Sequence, residues 1–151
     1  MAGATRCYTQ SMRLLAASLF LIAATAVHAQ NTPAGLWKTI DDETGQDKSL
    51  VRISDTGGVL TGRIEKLLHP SSPNPLCDKC RDDRQGKPMV GLSIIDGLRP
   101  DGEVWDGGRI LDPQNGKIYT VRLKLIDGGK ELDVRGYIGP FFRTQIWSRV
   151  E

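Results

Sequence analysis

The stretch CDKCRDDRQGKP, Cys77 to Pro88, places two cysteines two residues apart. A CxxC pair supports three chemistries: a dithiol redox centre, half of a zinc site, or a small disulfide ring. A redox centre needs the pair at the N-terminus of a helix that follows a strand, because the helix end lowers the thiol pKa. Here the flanks are SSPNPL and RDDRQGKP, and no helical pattern follows Cys80. Asp78, Asp82 and Asp83 also offset the thiolate-favouring charges of Lys79 and Arg81. A structural zinc site needs four ligands. His69, Cys77 and Cys80 with Asp82 or Asp83 make a permissive set, but there is no second CxxC. A disulfide would close a very small ring, for which the chain-entropy model gives about 2 kcal/mol. Against a total stability of about 5–15 kcal/mol, such a bridge shapes its loop without being the main support of the fold.

Other catalytic patterns fit poorly. His28 and His69 are the only histidines, and His69 lies in a Pro-flanked loop where a Ser-His-Asp triad would have to rest on it. No G-x-S-x-G, P-loop or H-E-x-x-H is present. The adjacent acids Asp41-Asp42 and Asp82-Asp83 read as solvated turn residues rather than acid/base pairs. DPQNG, Asp112 to Gly116, lacks the repeated acidic ligands of a calcium loop. It reads as a hairpin turn, with Pro113 fixing φ and Gly116 in the left-handed position. The expectation is a protein without catalysis, cofactor or metal. Its binding candidates are the aromatic and Arg residues Trp105, Arg109, Tyr119, Arg135 and Tyr137.

The compartment bears on the cysteines. Arg6 and Arg13 precede or open the apolar run LLAASLFLIAATAV, Leu14 to Val27, which ends in Val27-His28-Ala29. This is the pattern of a secretory signal peptide over residues 1–29, with Gln30 starting the mature chain. At about 20 residues for a comfortable span, the run is too short for a membrane anchor, so the mature chain is expected to carry no transmembrane span. The expected location is the periplasm or the exterior. Cleavage removes Cys7 and leaves two cysteines, which usually pair in an oxidising space. It also removes Arg6 and Arg13, taking Lys plus Arg from 20 to 18, equal to the 18 Asp plus Glu. A near-neutral chain lacks the basic stripe of a nucleic-acid binder. About 120 residues, 30–151, make one domain with one core.

The recurring period after Gln30 is two, not 3.6. VRLKLI puts Val121, Leu123 and Leu125 on one face, and ELDVRGYI puts Leu132, Val134, Gly136 and Ile138 on one side. VLTGRIEKLL alternates Leu60, Gly62 and Ile64 with Thr61, Arg63 and Glu65. Turn residues separate the runs at DTGG, DGLRPDG, DPQNG and DGGK. These patterns predict eight strands, at 35–41, 48–54, 58–68, 89–95, 103–111, 117–126, 131–138 and 141–149. The short links predict an antiparallel up-and-down meander, broken only by the long stretch from His69 to Pro88. Eight such strands close well into a barrel, which abolishes exposed edges; an open sandwich is the alternative. Gly62, Gly107, Gly108 and Gly136 mark the places where strands bend or bulge.

GLWKT, CDKCRDDRQGKPMVGLSI, WDGGRILDPQNGKIYTVRLKL, LDVRGYIG and the closing IWSR resemble a family of exported bacterial proteins catalogued as domain of unknown function 2147. The resemblance runs from Gly35 to Arg149, and its most specific piece is Trp105 to Tyr119. It implies a small lipocalin-like, or calycin, barrel. It also implies a role for Gly35-Leu36-Trp37, the Gly-x-Trp with which such barrels open, and for Arg149, which would stack over Trp37 and close one end. That contact would contribute about 0.5–2 kcal/mol.

Eight-stranded barrels either hold one small ligand or fill themselves with side chains. The first expectation is therefore an exported barrel that binds a small hydrophobic or amphipathic molecule, an Arg in the cup suiting an anionic headgroup. The second is a cell-envelope interaction module with a filled barrel. A slip of one residue reverses every inside–outside assignment, so the pattern leaves open which of Trp105, Arg109, Tyr119, Arg135 and Tyr137 point inward. It leaves the oligomeric state open as well.

Overall fold

Eight strands follow one another: β1 Gly35–Ile40, β2 Asp47–Thr56, β3 Val59–Leu67, β4 Ser93–Asp101, β5 Val104–Asp112, β6 Lys117–Ile126, β7 Glu131–Ile138 and β8 Phe141–Arg149. Each pairs antiparallel with the next, and β8 returns to β1, so the sheet is a closed up-and-down barrel. These elements come from a computed structural model that describes Met1, Gly3 and residues 31–151. The signal peptide read over residues 1–29 otherwise lies outside the described residues. Among those described, no helix is long and apolar enough to cross a membrane.

The alternation that predicted the strands also builds the core. Val121 and Leu123 of β6, Leu132 and Val134 of β7, and Leu60 and Ile64 of β3 all lie in one buried cluster. Trp37, Ile53, Leu60, Ile95, Leu98, Leu123 and Leu132 are almost wholly removed from water. They fill the half of the barrel nearest the β2–β3 and β4–β5 turns. Glycines make this density possible. A Cβ on Gly108 would stand 2.5 Å from Leu98 Cγ and 2.6 Å from the Asp96 carbonyl, so any side chain there would push β4 and β5 apart.

The largest departure from the sequence expectation is β4. DGLRPDG reads as a turn and the pattern predicts the strand at 89–95, yet β4 runs from Ser93 to Asp101 and only Gly102–Glu103 turn. Gly97, at φ 76°, supplies a bulge through which the strand continues. The shift is visible in the β3–β4 register, which passes from Leu60↔Leu98 to Gly62↔Ile95. Pro100 sits near the strand end opposite Trp105. Residues 89–92 belong instead to the long β3–β4 connection.

The seam where the barrel closes is short: Trp37↔Arg149 and Lys38↔Ser148 are its register pairs. It is reinforced by side chains. The Arg149 guanidinium lies 4.1 Å from the Trp37 ring centroid. It donates to the carbonyls of Gly129 at 2.6 Å, Ala34 at 2.9 Å and Thr32 at 2.8 Å. Trp37 Nε1 donates to the Pro33 carbonyl at 2.7 Å. Arg149 thus ties β8 to the chain before β1 and to the β6–β7 turn, which seals this end of the barrel.

Candidate functional site

The opposite end is open. Here the β1–β2, β3–β4, β5–β6 and β7–β8 connections meet, and the barrel holds a cavity of about 120 Å³. Its walls are apolar below and polar at the rim. Val51, Ile64, Ile110, Val134 and Trp147 form its apolar wall; Thr39, Lys48, Ser49, Tyr119, Arg143 and Gln145 supply its polar groups, Tyr119 standing opposite Ile110 and Gln145 opposite Val134. The position of each follows from strand direction. β1 runs toward the mouth, so Trp37 is deep and Thr39 is near the rim. β8 runs away from it, so Arg143 and Gln145 precede Trp147. Gly136 matters because it is empty: an added Cβ would approach Tyr119 Cβ to 3.3 Å, in space that borders the cavity.

The rim is held by contacts between distant segments. Asp41 accepts from the Glu43 and Thr44 amides at 3.0 and 2.9 Å, the Thr44 hydroxyl at 3.1 Å and Gln114 Nε2 at 3.1 Å. These donors, the Thr44 amide first and the Gln114 side chain next, hold its pKa down to about 2. Asp42 pairs with Arg143 and accepts from Gln145 Nε2. Gln145 Oε1 in turn accepts from Trp147 Nε1 at 2.9 Å. Asp112 accepts from the Gln114 amide and from Asn115 Nδ2, both at 2.9 Å, and Asn115 Nδ2 also donates to the Tyr119 hydroxyl at 3.2 Å. Inside the rim, the Thr39 and Ser49 hydroxyls lie 2.8 Å apart and are both buried.

Cys77 and Cys80 are joined by a disulfide. That bond leaves neither sulfur as a thiolate for zinc, and among the described residues no cluster of three or more His, Cys, Asp or Glu is placed to hold a metal. The bridge is fully buried and joins the core cluster that includes Leu92, Ile94 and Leu111. Its loop is tied back on itself by Cys77 N to Lys87 O at 2.8 Å and Gly86 N to Cys77 O at 3.0 Å. Arg84 fastens it to β4 by donating to the Ser93 carbonyl at 2.9 Å. The β5–β6 turn packs against it so closely that a Cβ on Gly116 would collide with the Lys79 carbonyl. The disulfide therefore positions the turn that carries Asp112 and Gln114. Reducing the bridge in the folded protein should lower the melting temperature by about 6–10 °C, from a ring of about 2 kcal/mol, with the barrel retained. Calorimetry with and without a dithiol reductant reads this directly; an unchanged transition would show that the ring does not stabilise the fold.

The five residues singled out from the sequence divide by face. Trp105 opposes Leu123, and Tyr119 opposes Ile110, so both share the inner face. Of the five, Tyr119 lines the cavity, while Trp105 packs against the core in the filled half. Arg109, Arg135 and Tyr137 belong to the outer face. Arg109 meets Asp96 at 3.4 Å. Arg135 donates to Thr144 and lies 5.3 Å from the Phe142 ring, beside which Tyr137 also sits, at 6.2 Å. The cations at the mouth are Lys48 and Arg143, which sequence reasoning did not select. The signal was present for Arg143: Arg143, Gln145 and Trp147 alternate on the closing strand, a polar continuation of an inward face. Lys48 carried no such signal, because it is the extra residue of a bulge, between Ser49 opposite Thr39 and Asp47 opposite Ile40, that breaks the alternation.

A family model described as an uncharacterized protein conserved in bacteria, DUF2147, matches residues 35–149. No curated protein matches the chain. Among solved structures, a protein from the human pathogen Helicobacter pylori, described as belonging to the lipocalin family, superposes with a TM-score of 0.67 at 16% identity. The match covers 78% of this chain and 82% of that one, and at this identity it shows a shared fold.

Proposed function

The chain belongs to the DUF2147 family of bacterial proteins, and on that premise we propose that it is an exported, periplasmic carrier whose lipocalin-like barrel holds one small, partly apolar molecule without catalysing its conversion. The observation that carries this reading is the asymmetry of the barrel. One end is sealed by Trp37 and Arg149, while the other keeps a cavity with an apolar wall and a polar rim. A barrel selected for stability alone gains by filling such space, since an empty cavity forfeits packing. The volume limits the guest. Pockets for drug-sized ligands run to roughly 300–1,000 Å³, whereas a dry cavity of about 150 Å³ takes one benzene. At about 120 Å³, the cup suits a small ring or a short branched chain, its polar end left at the rim.

A second reading, an envelope interaction module, draws on the β7–β8 hairpin. Phe141 and Phe142 at its tip are 72% and 64% exposed, more than solitary surface residues require.

Native mass spectrometry of protein exported to the periplasm, purified without reductant and measured again after denaturation, tests the carrier reading. The expected result is a chain starting at Gln30 and lacking two hydrogens, with an organic mass that denaturation releases. A bare chain that also takes up no small aromatic or branched acid, alcohol or amine would overturn it in favour of the interaction module.

A further inference from the structure

Several side chains that line the cup carry protons for which no acceptor is found among the described residues. Thr39 and Ser49 share a single hydrogen bond between two hydroxyls, so one of their two protons has no acceptor. Both residues are more than nine-tenths buried and both line the cavity. The Tyr119 hydroxyl accepts from Asn115 and, among the described residues, donates to nothing. The Lys48 ammonium reaches the mouth with three donors. Its nearest described partner is Asp41 Oδ2 at 3.9 Å, beyond hydrogen-bond reach. Burial lowers the Lys48 pKa, and Asp112, Asp41 and Glu43 oppose that shift.

The acids at the rim are engaged otherwise. Asp41 takes four donors, Asp42 takes Arg143 and Gln145, and Asp112 takes Gln114 and Asn115. The carbonyl oxygen of Gln145 is occupied by Trp147. The rim acids thus already hold donors from the protein, whereas the donors of Thr39–Ser49, Tyr119 and Lys48 line the cavity itself, above an apolar wall.

Resting on the carrier reading above, we infer that the guest is a small carboxylic acid bound as its carboxylate. Its oxygens accept from Lys48, Tyr119 and the Thr39–Ser49 hydroxyl pair, and its ring or short branched chain lies against Val51, Ile64, Val134 and Trp147. A carboxylate supplies acceptors only, which is what these donors lack. Hydrogen bonds to a charged group are also about twice as strong as neutral ones. The three rim carboxylates set the competing possibility, an amine, and the test includes it.

The probes are benzoate, benzyl alcohol and benzylamine, which share one ring and differ in the head. They are titrated into the disulfide-intact protein, with heat and tryptophan fluorescence as readouts. Benzoate should bind tightest. Lys48→Met should weaken benzoate by about 10- to 100-fold, the range of a hydrogen bond to a charged group, and weaken benzyl alcohol, a neutral acceptor, distinctly less. Lys48→Arg should restore most of the preference, and an unchanged melting temperature in both variants shows that the barrel is intact. If benzylamine or benzyl alcohol binds tighter than benzoate, or if Lys48→Met leaves benzoate unaffected, the carboxylate assignment is wrong and the carrier reading stands. If none of the three binds, the carboxylate assignment falls, and the native mass spectrum of the exported protein decides the carrier reading separately.

Discussion

Trp37→Ala is expected to lower the melting temperature by about 10–20 °C. A buried Trp cut to Ala costs about 3–5 kcal/mol, and each kcal/mol shifts a domain of this size by about 3–5 °C. The indole is wholly buried at the closed end of the barrel. Its loss leaves a cavity there, strands the Pro33 carbonyl that accepts from Nε1, and removes the ring under the Arg149 guanidinium. The position makes the cost larger than packing alone suggests, because β1 and β8 close the barrel over a short register. Trp37→Phe keeps a ring beneath Arg149 and loses the N–H donor, so it should fall between wild type and Ala. Thermal unfolding followed by far-ultraviolet circular dichroism separates the three proteins. A loss below about 3 °C for the Ala variant would mean that the seam is held by the backbone ladder and that the aromatic contact is incidental.

Val134→Phe is expected to abolish ligand uptake while the protein stays folded. Val134 lines the cavity from β7, pairs with Leu123 on one side and Gln145 on the other, and has no exposed surface to swing into. One benzene fills a cavity of about 150 Å³, so the added phenyl takes up about all of the available space. Overpacking costs about 1–3 kcal/mol where a core is already dense; here the ring enters empty volume, so the cost should sit at the low end. Binding of any guest in the cup should fall by more than about 100-fold, since guest and phenyl require the same space. Native mass spectrometry of the variant, prepared beside the wild type, reads the loss of the released organic mass. Uptake that survives this change would place the ligand elsewhere on the protein.

The two variants probe ends of the barrel that differ in how far they could be read in advance. Strand identity was local. Val121, Leu123 and Leu125, or Leu132, Val134 and Gly136, declare a half-buried strand within a few residues, and Asp112 to Gly116 declares its turn. The proximity of Cys77 and Cys80 was also local, three positions apart in the chain, while the choice of disulfide over zinc came from the structure. β4 departs from the pattern because Gly97 and Pro100, which usually end strands, here accommodate a bulge and a strand end.

The sequence by itself determined an all-β chain of eight strands and its short turns, because those depend on neighbours a few residues apart; it placed Cys77 and Cys80 together but left disulfide and zinc both open. Tertiary structure alone decided which side chains meet in the cup. Period two says that residues alternate, but only closure and register say which face is inside. That is why Tyr119 and Arg143 reach the cavity while Arg109 and Arg135 do not. The contacts that shape the rim, Asp41 with Gln114 and Asp42 with Arg143 and Gln145, join segments separated by 73 to 103 positions. Such groups are brought together only when the barrel closes, and the donor surplus left between them is a property of the closed barrel.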